Sequence, residues 1–424
     1  MDDLKKMYHL QQQDPFPEQM RLVFGDQEIA FRKRTWDIEG QSKGLRYGEN
    51  PDQPAALYEP VSGVLTLGNV GLRGTGQGLV SSLSSENILQ SGKHPGKTNL
   101  TDVDNGINIL QYLSSKPAAV ILKHNNPSGA AWSDQSLETA LLRAYDSDRI
   151  AAFGGAIVVN RPLDTACASF VNSLYFEVVA APEFEPGALE ILKKRKNLRI
   201  LRIPGLARLE ELVGTPYLDC TSLVDGGMIL QFSFCNRILT QDDWLPARAE
   251  KDDLQVTARR PDAREAEDLL FAWAVEAGVT SNSVIFARHG ATLSIGTGEQ
   301  DRVGCVELAV HKAHTRYADR LAAEKTGETL YQLKERARSD AQAMTELRDI
   351  EERTQQARGG LPGSVLVSDG FFPFRDGVDL AIEQGVTAIA QPGGSIRDAE
   401  IIQAVNQADP QVAMVFTGQR SFRH

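Results

Sequence analysis

Cysteine is scarce in this chain. Four occur in 424 residues, at positions 167, 220, 235 and 305. No two form a Cys-x-x-Cys pair, so neither a disulfide framework nor a zinc knuckle is expected. Reduced, mostly buried thiols in a cytoplasmic protein are the expectation. Long apolar runs are missing too: no stretch reaches the roughly 18 residues that a membrane span needs, and the opening MDDLKKMYHL has no signal-peptide core. Positive charge is in deficit, with a net charge of -11 at pH 7. That balance argues against a general nucleic-acid or membrane-surface binder, and leaves room for a local basic pocket that takes a small anion.

Familiar nucleotide and metal signatures are also lacking. GKHPGKT (Gly92–Thr98) ends like a phosphate loop, but three residues separate its glycines where the motif has four, and no apolar strand is read ahead of it. GTGQG (Gly74–Gly78) misses the dinucleotide spacing, and both stretches are expected to be turns. His311 and His314 are spaced to share a helix face, with no acidic motif beside them. The His-x-Glu and Pro-Cys-x-x-Cys signatures of zinc deaminases are absent, so metal-activated water is not expected.

What remains is an ordinary globular composition, 42% hydrophobic and 24% charged, long enough for two or three domains. RLVFGDQEIAF reads as a hairpin. From residue 100 short apolar runs alternate with helical spacing: GINILQYLSS helical, AAVIL a strand, SLETALLRAYDSD helical, GGAIVVN a strand. A second such region begins near residue 260 with the helix AREAEDLLFAWAVEAG and a strand pair joined through His289-Gly290. It ends with three strands in GSVLVSDGFFPF, GVTAIAQPGG and VAMVFTG. The pattern predicts an α/β fold with sheets covered on both faces. Residues 307–358 read as a charged, solvated helical excursion.

Three stretches carry chemistry. VILKHNNPSGAA places Lys123 and His124 where a buried strand leaves the core, a position at which α/β folds put ligand chemistry. A neutral histidine there can act as a base near pH 7, and a lysine can hold a phosphate or a developing oxyanion. The plain reading of the dipeptide is a surface lysine and a hydrogen-bonded turn histidine. SDGFFPFRDGVD interleaves phenylalanines with Asp369, Arg375 and Asp376, which fits either a heterocycle sandwich or core plus a salt bridge. QPGGSIRD opens a helix, where an anion or a simple cap is expected. The basic tail GQRSFRH follows a strand directly, so it is read as tied down.

Together LRYGENPDQ, KHNNPSG, AFGGAIVVNR, SNSV, SDGFFPFRDG, QPGGSIRD and FTGQRSFRH occur in one order from about residue 45 to the end. In that order they resemble the AICAR transformylase part of the bifunctional purine-biosynthesis enzyme. The resemblance implies two cytidine-deaminase-like α/β/α subdomains without zinc, placed at 46–240 and 241–424 after an N-terminal arm at 1–45. With so few residues before Leu45, a transformylase without the IMP cyclohydrolase domain is expected. The implied reaction moves a formyl group from 10-formyltetrahydrofolate to the 5-amino group of AICAR. A homodimer with interface active sites is implied, acting on small molecules, with no nucleic acid and no membrane as partner. By resemblance His124 is the base, Lys123 stabilises the formyl oxygen, and Asn282 orients substrate and base. Arg46, Tyr47, Glu177, Arg302, Phe371, Arg420, Phe422 and His424 are implied as AICAR contacts. Pro373, Phe374 and Asp376 fall where the folate is expected, and a structural potassium ion near Ser283 and Asp369.

The chain departs from the family pattern in three places. Asp52 stands where the family has histidine, GTGEQDR brings Glu299 and Asp301 beside Arg302, and the tryptophan-rich segment after that loop is not recognisable. Formate with ATP as formyl donor, a non-catalytic purine-nucleotide-binding protein and a degenerate deaminase remain as alternative readings.

Overall fold

The computed structural model describes residues 14–38, 40–92, 94–250 and 254–424; residues 1–13 of the predicted polar arm lie outside them. Two compact units are assembled from interleaved stretches. The first comprises the chain up to Pro117, Leu122–Asn125 and Gly154–Asn236; the second comprises Ala118–Ile121, Asn126–Phe153 and Arg237–His424.

In the first unit the strands Ala156–Val159, Val178–Ala181 and Arg199–Arg202 pair in parallel, and Ile88–Gln90 adds antiparallel to the last of them. AIVV and VVAA are buried at every position, as strands covered on both faces must be. The helix Lys97–Leu110 packs on Ala156–Val159. The predicted N-terminal hairpin is present as Gln19–Phe24 with Gln27–Lys33, joined in antiparallel register, and Tyr58–Ser62 extends it.

Two sequence expectations need correction here. GINILQYLSS is helical only to Leu110, and its helix begins well upstream at Lys97. GKHPGKT is therefore no plain turn: a strand, Ile88–Gln90, does lead in, and the helix opens immediately after Gly96. That strand is three residues long and lies at a sheet edge, too short to leave an apolar run in the sequence.

The second unit orders its strands Leu245–Pro246, Ala413–Phe416, Ala388–Gln391, Val365–Ser368, Val284–Arg288, Ala291–Gly296 and Asn126–Trp132. The three C-terminal strands are parallel to one another, and the hairpin beside them is antiparallel. Local chemistry sets these elements. Asp262 accepts from the Glu265 amide at 2.8 Å and Glu265 returns the bond at 2.9 Å, a capping box that starts the helix Ala263–Glu276. His289 and Gly290 both take positive φ, +54° and +68°, as a two-residue hairpin turn demands. A Cβ at Gly290 would sit 2.0 Å from Trp132 Nε1, so only glycine fits.

The predicted solvated excursion at 307–358 is also corrected. The helices Arg302–Thr326, Leu330–Ala337 and Ala341–Gln356 bury a small core of their own, with Ala322, Leu333, Ala343 and Ile350 fully enclosed. Their apolar residues are few and spaced a turn apart, which reads as polar in sequence and closes only when three helices meet. Among the described residues no helix is long and apolar enough to cross a membrane. Cys167 and Cys305 are buried, but Cys220 is exposed and Cys235 half-buried, which corrects the expectation of mostly buried thiols.

Candidate functional site

The strand Ala118–Lys123 ends in the turn His124-Asn125, where both residues take positive φ, +54° and +62°. Histidine and asparagine tolerate this region better than most residues. Side chains from one face of the helix Lys97–Leu110 hold the turn. Asp102 Oδ1 accepts the Asn125 amide at 2.6 Å, and Asn105 Nδ2 donates to the Asn125 carbonyl at 2.8 Å. The i, i+3 spacing of Asp102 and Asn105 lets one helix grip both sides of a single residue.

The turn looks into a cavity of about 200 Å³. Lys123, His124, Arg46, Tyr47 and Glu177, all singled out from sequence, line it together. Arg46 lies 4.4 Å over the Tyr47 ring and donates to its hydroxyl at 2.6 Å. The start of the helix, at Gly96, Thr98 and Asn99, forms another wall. Helix N-termini favour anions, so two cations and a helix start face one small volume, which the carboxyl groups of Glu49, Asp102 and Glu177 share. Glu177 is held by Asn99 at 3.3 Å and by the buried Arg199 at 3.5 Å. Burial pushes the Arg199 pKa down to about 10, against the pull of Glu177.

Asp102, Asn99 and Arg199 were not foreseen. Asp102 is 6% exposed. Burial raises its pKa to about 6, while the Asn125 amide and His124 draw it down. The folded protein therefore binds an extra proton between the ordinary value of 3.8 and about 6. Its contribution to stability falls as pH rises through that window and is level above it. Replacement by Asn should flatten this part of the stability profile, and urea unfolding from pH 4 to 7 measures it. The same substitution should lower any activity that depends on His124, because it weakens the grip of Asp102 on the Asn125 amide beside it. Unchanged activity would separate the two groups.

The second unit gathers the other residues. Arg302 is 7% exposed and both terminal nitrogens of its guanidinium are engaged. It donates to the Ser283 carbonyl at 2.9 Å and to Asn282 Oδ1 at 3.0 Å, and it pairs with the fully buried Asp369. Ser281 Oγ donates to the other Asp369 oxygen at 2.6 Å. The basic tail is tied to this cluster: the Ser421 amide reaches the Asp369 carbonyl at 3.0 Å, and the Arg423 amide reaches Ser281 Oγ at 3.1 Å. Arg420 lies over the rings of Phe371 and Phe422 at 5.1 and 5.5 Å, with His424 6.2 Å from Phe422. A Cβ at Gly370 would come within 2.6 Å of Arg302 and 2.8 Å of Phe422, so glycine is what lets the two groups approach.

Pro373, Phe374 and Asp376 lie at the start of the helix Asp376–Glu383, where Phe374 is 53% exposed and carries Arg397 over its ring at 4.9 Å. Arg375 pairs with Asp379, not with Asp369 or Asp376. In QPGGSIRD, Asp398 accepts the amides of Gly394 and Ser395 at 2.7 and 3.1 Å, so the turn is capped by its own carboxylate. The extra acid Asp301 caps the helix Arg302–Thr326 by accepting the Gly304 amide at 2.6 Å, and leaves Arg302 to Asp369. One more acid went unread: Glu276 is wholly buried, close to Ser283 and Asp369. Burial and the Asp369 charge hold its pKa well above the carboxylate range, against the pull of Arg302.

A family model described as the AICARFT/IMPCHase bienzyme matches residues 11–312. The bifunctional purine biosynthesis protein PurH of Magnetococcus marinus is 38% identical over 384 residues, covering 90% of this chain and 59% of that protein. PurH of Caldicellulosiruptor saccharolyticus is 35% identical over 380 residues, with the same coverage. PurH of Aquifex aeolicus is 34% identical over 402 residues, 95% of this chain and 62% of its own length. The chain thus spans about three-fifths of the curated relatives it matches.

Proposed function

The chain belongs to the AICARFT/IMPCHase bienzyme family, and from that premise we propose that it transfers the formyl group of 10-formyltetrahydrofolate to the 5-amino group of AICAR, giving formyl-AICAR. The observation that carries this reading is the first-unit cavity, in which Lys123 and His124 stand with Arg46 and a helix start. A phosphate-bearing amine suits that lining. The AICAR amine is a weak nucleophile, because its lone pair is delocalised into the imidazole. His124 takes its proton as the new C–N bond forms. Lys123 neutralises the oxyanion on the formyl carbon. The intermediate then collapses, the bond to folate N10 breaks, and a proton passes to the leaving nitrogen.

Asn282 orients the substrate in this proposal, and Arg302 positions Asn282 through its 3.0 Å bond. Phe371, Arg420, Phe422 and His424 offer aromatic and cationic surface to AICAR, and Pro373, Phe374 and Asp376 to the folate. The resemblance further implies a structural potassium ion. Ser283 and Asp369 are both fully buried and place a hydroxyl and a carboxylate together, donors that fit a hard cation taking oxygen ligands. Those two residues would hold it. The two units are taken as cytidine-deaminase-like layers that work without zinc, and the protein as cytoplasmic.

The test is an assay with AICAR and either 10-formyltetrahydrofolate or formate plus ATP. Formyl-AICAR from the folate donor supports the proposal. Product with formate and ATP alone would reassign the donor, and no product with either would leave a purine-nucleotide-binding role. IMP would show that ring closure accompanies transfer.

A homodimer is part of the same proposal. The hairpin Leu218–Ser222 with Met228–Phe232 leaves Met228, Ile229, Leu230 and Phe232 exposed, and an isolated two-stranded hairpin is marginal in water. Ile229→Glu is expected to convert the dimer to monomer in sedimentation velocity. A wild-type monomer, or a dimer indifferent to the change, would count against it.

A further inference from the structure

The second unit contains another cavity, of about 230 Å³, which shares no residue with the first. It lies at the turn end of the hairpin whose first strand starts just after Asn282, about 20 Å away by strand rise. Arg143, Arg288, His289, Arg316, Tyr317 and Arg320 line it. Three elements supply the four arginines: the helix Leu137–Ser147, the end of the strand Val284–Arg288, and one face of the helix Arg302–Thr326, where Arg316 and Arg320 are i, i+4 neighbours.

Their charges are under-compensated. Arg143 donates to the carbonyls of Trp132 at 3.3 Å, Arg288 at 3.5 Å and His289, and Arg288 donates to the Pro362 carbonyl. Neither makes an ion pair among the described residues. Asp268 acts on Arg143 from a distance, but its carboxylate is committed to Arg264 at 3.0 Å and the Gly290 amide at 2.7 Å. Asp148 serves two cations, Arg316 at 2.7 Å and Lys312 at 3.7 Å. Arg320 lies 5.0 Å over the Tyr317 ring, and among the described residues its one ion pair is with Glu324, at 3.9 Å. Asp146 is the one carboxylate lining the cavity, and burial raises its pKa against the pull of Arg320 and Arg149.

We propose that this cavity is a second anion site, built for a compact, multiply charged phosphate such as pyrophosphate or the diphosphate end of a small ester. Guanidinium groups arriving from three elements surround one volume. A tetrahedral oxyanion can accept from all of those directions, whereas a planar carboxylate is satisfied by one or two forks. The recess is too small for a nucleic-acid strand, and the chain's net charge of -11 opposes one.

The experiment is calorimetric titration of pyrophosphate into Arg46→Gln protein, which weakens anion binding in the first cavity, and into the same protein carrying Arg288→Gln or Arg320→Gln. Binding at one site is expected, weakened at least tenfold by either added substitution, with formyl transfer measured on an Arg46 background unchanged by Arg320→Gln. Should Arg288→Gln unfold for want of its bond to Pro362, Arg320→Gln carries the test, since among the described residues that side chain is held only by a long pair with Glu324 and by the Tyr317 ring. No pyrophosphate binding in the Arg46→Gln protein, or undiminished affinity in Arg320→Gln, overturns the proposal.

Discussion

His124→Ala should lower kcat for formyl transfer by about 10²–10⁴-fold, the range over which a positioned general base contributes. The KM for AICAR should change little, because the lost interaction is made in the transition state. Lys123→Ala should cost about 10²–10³-fold, as removal of an oxyanion donor does. The two losses should not add: both groups serve the same tetrahedral intermediate, so Lys123→Ala/His124→Ala should be little worse than the more damaging single change. Steady-state kinetics of the three variants measure this, with circular dichroism to confirm folding. A His124→Ala enzyme within tenfold of wild type would remove the base from the mechanism. Local geometry gives a reason to expect a well-defined imidazole. The turn that carries it is gripped on both sides of Asn125 by Asp102 and Asn105, so truncation at Cβ removes the ring without releasing the backbone.

Much of this was legible in sequence where one residue type answers one local demand. His289-Gly290 marks a two-residue hairpin turn because positive φ is required there. The run AIVV marks a strand buried on both faces because nothing polar could be satisfied there. Lys123-His124 could be picked out because charge at the end of an apolar strand is unusual. What failed to show depends on encounters that spacing does not encode. Asp102 lies upstream of the turn it holds, before the stretch that reads as helical in sequence, so nothing there marks it. Asp301 read as a rival for Arg302, yet the free amides of a helix start claimed it. Glu276 looks like the polar face of AREAEDLLFAWAVEAG, but that helix is buried nearly all round at its C-terminal end. The core shared by the helices after Arg302 likewise exists only once three weakly apolar faces have met.

Arg302→Ala should destabilise the second unit by about 3–5 kcal/mol, the usual cost of removing one partner from a buried ion pair. Arg302 is the cation facing two wholly buried acids, Asp369 and Glu276. Burial keeps Glu276 toward its neutral form, so the pair in balance is Arg302 with Asp369, and truncation strands the Asp369 charge. It also frees the Ser283 carbonyl and Asn282 Oδ1, so activity should fall alongside stability. Urea unfolding followed by tryptophan fluorescence reads the first effect, and kinetics at a temperature well below the transition reads the second. Arg302→Met combined with Asp369→Asn separates charge from packing. With no charge left to strand, that variant should recover more than half of the lost stability, because hydrophobic or neutral replacement of a whole buried pair is often nearly neutral. It should not recover activity, since Asn282 would still lack the donor that fixes its side chain. Equal instability in the single and double variants would place the cost in packing around Gly370 and Phe422, which crowd the guanidinium.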